Sequence, residues 1–194
     1  MSLEIIVYTK TLSDDIIPEI QKRLNKFEME CEIHPEFSFT DQSGFLPFKF
    51  QLKNPPFEIL RNRILLSGFE LFVRELDFQE EKRRRNARKG LITKLIGIVI
   101  PDKTLVNDEI DQRIKECSKV VSFVWHSVDS FELRLAALTS AILTELTSGI
   151  CTYLPGDIWY ETNGLVENTW NEINRYETEL LKESDLKFHD FEKW

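Results

Sequence analysis

Residues 125–129, read as Trp-His-Ser-Val-Asp, bring together three residue types that support acid–base and nucleophilic chemistry. They follow a short β-branched run that predicts a central strand, and the carboxyl end of such a strand is a common place for sites in α/β sheets. Adjacent strand residues point to opposite faces, so His126 and Ser127 are poorly placed to share a hydrogen bond. Helix capping by Asp129 or Ser130 is therefore favoured, and a small hydrolase or transferase that uses His126 with Asp129 or other carboxylates is the alternative.

Metal and cofactor chemistry has little support in the sequence. The three histidines form no helical HxxxH or HExxH pair: His34, His126 and His189. The three cysteines have no CxxC spacing and recur at apolar positions: Cys31, Cys117 and Cys151. We interpret the cysteines as small core residues and predict no metal, no cofactor and a reducing cytoplasm.

A basic insert over residues 80–94 is the strongest polar signal. It carries seven basic residues against two acidic ones, a net charge of +5, whereas the rest of the chain sums to −13. A positive potential of this kind collects phosphates or an acidic partner, and six of its residues are candidate binding residues: Lys82, Arg83, Arg84, Arg85, Arg88 and Lys89. No Gly-rich phosphate loop accompanies them. A solvated segment that pairs with the chain's own acidic body is the competing interpretation.

A second candidate binding face combines aromatic residues with an acidic segment. Tyr153, Trp159 and Tyr160 flank Leu154-Pro155-Gly156-Asp157, a sequence typical of a type II turn between two strands. The acidic helix and tail over residues 161–194 contain nine Asp or Glu against four Lys or Arg. Aromatic residues anchor interfaces and charge steers a basic partner, but core packing of at least two of these rings is favoured over that role.

The elements that must position these residues follow from hydrophobic spacing. Leu3, Ile5 and Val7 alternate in a first strand, and further alternation predicts strands near residues 29–33 and 45–52. We interpret Gly68 as part of a turn before a third alternating run. Residues 91–100 suit either a strand or a helix, and they fall short of the roughly 20 apolar residues that span a bilayer.

The best helix of the chain begins near Phe131, and its apolar spacing with several alanines predicts the central core helix. Gly149 is expected to end it in a left-handed conformation. Together with the hairpin, residues 131–160 resemble a module of uncharacterised small bacterial α+β proteins, some of which are proposed to be immunity partners of toxins. The resemblance implies a protein-binding role and carries over no functional residue.

Length and composition set the remaining limits. The chain has 194 residues, 42% of them hydrophobic, and a net charge of −8. A chain of this length can bury a stable hydrophobic core without disulfides or structural metals. We predict a single α+β domain over residues 1–194, with a mixed, largely antiparallel sheet covered by helices. The acidic balance makes nucleic acid an unfavourable partner. The function predicted first is a non-enzymatic cytoplasmic protein whose acidic surface binds a basic protein, and docking of anions or nucleic acid through the basic insert is a further alternative. The oligomeric state is left open.

Overall fold

The fold is known from a computed structural model that describes residues 3–40, 43–84, 108–153, 158–160 and 162–194. The described part of the chain contains eight strands: β1 (Leu3–Thr9), β2 (Met29–Ile33), β3 (Gly44–Leu52), β4 (Leu65–Glu75), β5 (Lys119–Trp125), β6 (Ile150–Tyr153), β7 (Ile158–Tyr160) and β8 (His189–Asp190). Its α-helices are α1 (Ile17–Leu24), α2 (residues 78–84), α3 (Asp108–Lys115), α4 (Glu132–Leu146) and α5 (Leu165–Arg175). Short 3₁₀ turns occur at Asp14–Ile16, Glu58–Leu60 and Glu183–Asp185, and a π-helical turn at Tyr176–Leu180 continues α5.

One sheet runs through the molecule in the order β2-β3-β4-β5-β1-β6-β7, and β8 pairs with β4 at Leu65 and Leu66. Every pairing between the described strands is antiparallel. The predicted α+β class with a largely antiparallel sheet is confirmed, and β5 is the central strand as its sequence indicates.

The sheet is covered on both faces, which explains why β1 is apolar on both sides. Ile5 and Val7 point into the main core with α1, α4 and α5. Ile6 and Tyr8 point the other way, into a smaller cluster beneath α2 and α3 that includes Phe78. In β2, by contrast, buried residues alternate with exposed glutamates, as the sequence predicts.

Helix α4 is the core helix, and residues 134–144 are all buried. A helix enclosed on all sides needs apolar or small residues around its whole circumference, and the alanines provide them. The predicted cap by Asp129 or Ser130 is wrong, because Phe131 is the N-cap residue of α4 and no side chain caps the first turn. Asp129 instead accepts a hydrogen bond from the Phe131 amide at 2.7 Å, which fixes the approach to the helix.

Two glycines play roles other than those predicted. Ser148, not Gly149, is the left-handed residue after α4, with φ of 50°. Gly149 is needed because a Cβ there would lie 2.5 Å from the Tyr8 carbonyl oxygen. Gly68 lies inside β4, paired with Pro47, and not in a turn. A Cβ at Gly68 would lie 2.1 Å from the Leu46 oxygen, so close approach of β3 explains this glycine.

No helix in the described ranges has both the length and the apolar character needed to cross a membrane. Residues 91–100 and the Pro155-Gly156 turn, for which the sequence makes predictions, lie outside the described residues. The strands on either side of that turn do pair, with Cys151 opposite Tyr160 and Tyr153 opposite Ile158.

Candidate functional site

A cavity of about 560 Å³ lies between the β1-β6-β7 end of the sheet and the helices α4 and α5. Its size falls within the range of small-molecule sites in proteins. The apolar lining residues, most of them buried, form its floor, and the exposed and half-buried polar residues form its rim. Described residues of both kinds line it: Leu3, Ile5, Trp125, Leu133, Ala137, Ser140, Ala141, Cys151, Tyr153, Trp159, Tyr160, Asn163, Leu165, Asn168, Thr169, Glu172, Ile173 and Tyr176.

Helix α4 leaves room for the cavity because its wall there is made of small residues. Ala137, Ser140 and Ala141 are spaced three and four apart, so they share one face of the helix. The Ser140 hydroxyl donates to the Ala137 carbonyl at 2.9 Å and stays close to the helix. Helix α5 packs on α4 and adds Asn168 and Glu172, one turn apart, from the opposite side.

Aromatic rings form much of the sheet side of the cavity. The Trp125 and Tyr153 rings stack with centroids 6.4 Å apart and planes inclined by 27°. Tyr160 is brought beside them because β7 pairs with β6. Trp159, the residue before Tyr160, stacks its ring on Tyr8 with centroids 6.2 Å apart, so this ring packs into the smaller cluster on the opposite face of the sheet.

Burial sets the ionisation of the groups in the cavity. It raises the pKa of the Cys151 thiol to about 12, so the thiol is protonated at neutral pH. Burial is also the main cause of the raised pKa of Tyr160, and the nearby charges of Cys151, Glu172 and Tyr153 raise it further. Glu172 on α5 and Tyr160 on the hairpin are therefore electrostatic neighbours across the cavity.

A buried ion pair anchors the segment that follows α5. Arg134 of α4 makes two hydrogen bonds to the Glu177 carboxylate, at 2.9 and 2.6 Å, and donates a third to the Phe27 carbonyl at 3.0 Å. Its guanidinium also lies 5.0 Å from the centroid of the Trp170 ring. Glu177 belongs to the π-helical turn, whose first residue, Tyr176, lines the cavity.

The predicted catalytic candidates do not come together. His126 is exposed, and its Nε2 lies 3.5 Å from the Glu70 carboxylate, outside the described cavity. Asp129 is buried and accepts a hydrogen bond from the Ser67 hydroxyl at 2.8 Å. Burial is the main cause of its raised pKa. The site argument from parallel α/β sheets does not apply to His126, because β5 has antiparallel neighbours.

The described part of the basic insert is tied to the chain itself. Glu81 is buried and accepts a hydrogen bond from the Tyr8 hydroxyl at 2.7 Å, and it also pairs with Arg74. Arg84 pairs with Glu80 one turn earlier at 2.6 Å, while Arg83 is exposed on the same helix and Lys82 is half-buried. The remaining candidates lie outside the described residues: Arg85, Arg88 and Lys89.

Of the predicted sites, the aromatic face is the one whose residues lie together in the structure. Tyr153, Trp159 and Tyr160 line one cavity, and the acidic segment contributes Glu172 to the same space. The small-residue wall of α4 was not predicted as part of a site, although the spacing of four between Ala137 and Ala141 is a usable signal. In the described ranges, no group of three His, Cys, Asp or Glu side chains is arranged to hold a metal ion.

Neither a protein-family model, nor a curated protein, nor a solved structure matches this chain.

Proposed function

We propose that this protein is a binding protein that holds a small amphipathic molecule in the cavity between the β6-β7 hairpin and helices α4 and α5. The observation that carries the proposal is the combination of an apolar floor with exposed and half-buried polar side chains on the rim. Within the described ranges, several polar side chains of the rim make no hydrogen bond to the protein, among them Tyr153, Tyr160, Asn168 and Glu172. A cavity with a few convergent polar groups is typical of ligand sites.

Binding is favoured over catalysis by the state of the nucleophile candidates. The Cys151 thiol, with its pKa raised to about 12, provides almost no thiolate at neutral pH. The Ser140 hydroxyl bonds the Ala137 carbonyl, and no described histidine lines the cavity to activate it. These groups serve to shape the cavity.

The basic protein partner predicted from the sequence stays a separate prediction, as does the immunity-type role that the resemblance implies. Several carboxylates of the acidic segment already pair with the chain's own arginines: Glu177 with Arg134, Glu179 with Arg175 and Asp190 with Arg63. Less acidic surface is therefore left for a partner than the composition indicates. Salt-sensitive binding of polybasic proteins in titrations would support this second function.

The proposal is tested by a substitution that fills the entrance of the cavity. Asn168 and Asn171 are both exposed on α5, but only Asn168 lines the cavity. We expect Asn168→Trp to weaken the binding of one-ring probes at least tenfold, because the indole occupies their space, and Asn171→Trp to bind like the wild type. The probes are 2-phenylethylamine, 2-phenylethanol and 3-phenylpropionate, followed by ligand-observed NMR at concentrations near 1 mM, the affinity range for ligands of this size.

Circular dichroism and thermal unfolding of both variants serve as folding controls. If none of the three probes binds the wild type, or if Asn168→Trp binds them as well as Asn171→Trp does, the cavity is not the binding site and the proposal fails.

A further inference from the structure

Resting on the proposed binding function, we infer the chemical class of the ligand: a small organic cation, with its apolar body in the cavity and its ammonium group between Glu172 and the tyrosine rings of the hairpin. The charge of the cavity lining favours a cation. Glu172 is the one charged side chain among the described residues that line the cavity, and these include no Lys, Arg or His. A cation is attracted to this rim, whereas an anion meets a carboxylate and no counter-charge.

The aromatic rings supply the second requirement of a cation site. Trp125, Tyr153, Tyr160 and Tyr176 all line the cavity, and they come from the sheet and from the turn after α5. An ammonium group over the face of Tyr or Trp is attracted by the π electrons of the ring, and the attraction is stronger when the group is desolvated. Neutral aromatic ligands gain the stacking contacts but not this electrostatic contribution.

The two recognition elements face the same space. Glu172 and Tyr160 belong to different elements and line the same cavity, and the Glu172 charge adds to the effect of burial in raising the pKa of the Tyr160 phenol. An ammonium group held in the cavity therefore has both residues within its surroundings. The half-buried position of Tyr160 lowers the local dielectric constant around its ring and strengthens the attraction of an ammonium group to the ring, whereas Glu172 is exposed and attracts the cation from the rim.

The size and lining of the cavity favour a small molecule over the side chain of a partner protein. A volume of about 560 Å³ accommodates a drug-sized ligand. Leu3, Ile5 and Ala141 of the floor have no hydrogen-bonding side chain, and the buried Ser140 hydroxyl already donates to the Ala137 carbonyl. We therefore expect an amine with an aromatic or branched aliphatic body.

The experiment compares the three phenyl probes, which share one body and differ in charge at pH 7. We expect 2-phenylethylamine to bind the wild type about tenfold more tightly than 2-phenylethanol, with 3-phenylpropionate the weakest. Glu172→Gln should weaken binding of the amine about fivefold and leave the alcohol unchanged. Glu167→Gln is the matched control, because Glu167 is exposed on the same helix and does not line the cavity.

A second pair of variants tests the ring. Tyr160→Phe keeps the aromatic face and should bind the amine within about twofold of the wild type. Tyr160→Leu should weaken the amine about threefold more than it weakens the alcohol, since only the cation uses the electrostatic attraction of the ring.

The outcomes separate the two proposals. Equal affinity for all three probes, lost in Asn168→Trp, would overturn the cation inference and keep the binding function. A preference for the carboxylate, or an amine affinity that Glu172→Gln leaves unchanged, would overturn the inference as well. Binding of none of the three would overturn both.

Discussion

At the scale of single residues, the buried pair Arg134–Glu177 is where the loss of one partner should lower the stability of the protein most. Both side chains are only 4% exposed. Removing one partner leaves a buried charge without compensation, which costs about 3–5 kcal/mol. We expect Glu177→Ala to lower the free energy of unfolding by about that amount in urea denaturation.

The matched control is Glu179→Ala in the same turn. Glu179 and Arg175 form an exposed pair at 3.5 Å, so its loss should cost less than about 0.5 kcal/mol. Replacing both buried partners, Arg134→Met with Glu177→Leu, should restore much of the stability lost in Glu177→Ala. If the double variant is as unstable as the single one, packing around the pair and not the uncompensated charge sets the loss.

Sequence reasoning identified part of the site at this scale. Tyr153 and Tyr160 were found because aromatic residues flank a turn signal, and both line the cavity. Arg134 was missed, although it lies three residues after Phe131 and four before Leu138, on the apolar face of the helix. A charge on an apolar face indicates a buried partner, but Glu177 is 43 residues away, and only the tertiary fold shows the pairing.

At the scale of elements, α4 ends in a common C-terminal capping motif in which Ser148 occupies the place usually taken by glycine. The Ser148 amide bonds the Glu145 carbonyl at 3.3 Å, and the Gly149 amide bonds the Thr144 carbonyl at 2.9 Å. This is the Schellman arrangement, in which glycine normally takes the left-handed place that Ser148 holds here. We expect Ser148→Gly to raise the free energy of unfolding by about 0.5–1 kcal/mol.

Two neighbouring substitutions provide the controls in the same thermal and urea experiments. Thr147→Gly should destabilise the protein, because Thr147 has negative φ and its hydroxyl bonds the Leu143 carbonyl at 2.8 Å. Gly149→Ala should cost more, since its Cβ would meet the Tyr8 oxygen. A stabilising Gly149→Ala, or a destabilising Ser148→Gly, would contradict this account of the turn.

Elements with strict alternation were predictable because one apolar face must be buried, as β2 and β3 show. The roles of Gly68 and Gly149 were not predictable, because a glycine is used either in a turn or where another backbone segment approaches closely, and the sequence does not distinguish these two roles. The register of β3 against β4, which places Pro47 opposite Gly68, is a tertiary property that decides the matter.

At the scale of the whole molecule, the net charge of −8 describes the binding surface poorly. Acidic residues from distant segments pair with the chain's own basic residues, as in Glu145 with Arg23 and Glu116 with Lys10. What composition could not reveal is which carboxylate is left facing a cavity. In the described residues that line it, this is Glu172.

Strand β8, near the end of the chain, pairs with β4 of the main sheet. We expect β8 to detach locally without unfolding of the core. Arg63 holds it in place, with Nη1 2.7 Å from the Asp190 carboxylate and the guanidinium 5.3 Å from the centroid of the Phe188 ring. Arg63→Ala should therefore loosen β8 and cost about 1–2 kcal/mol.

Arg61 is the matched control, because it is exposed and its ion pair is with the equally exposed Glu58 three residues earlier, so Arg61→Ala should cost less than about 0.5 kcal/mol. Hydrogen exchange tests the locality of the effect at the Phe191 amide, which bonds the Ile64 carbonyl at 2.9 Å. Its protection should fall in Arg63→Ala while the amides of the central β1-β5 pair stay protected. Equal loss of protection in β1 and β5 would mean that the C-terminal strand and the core unfold as one cooperative unit.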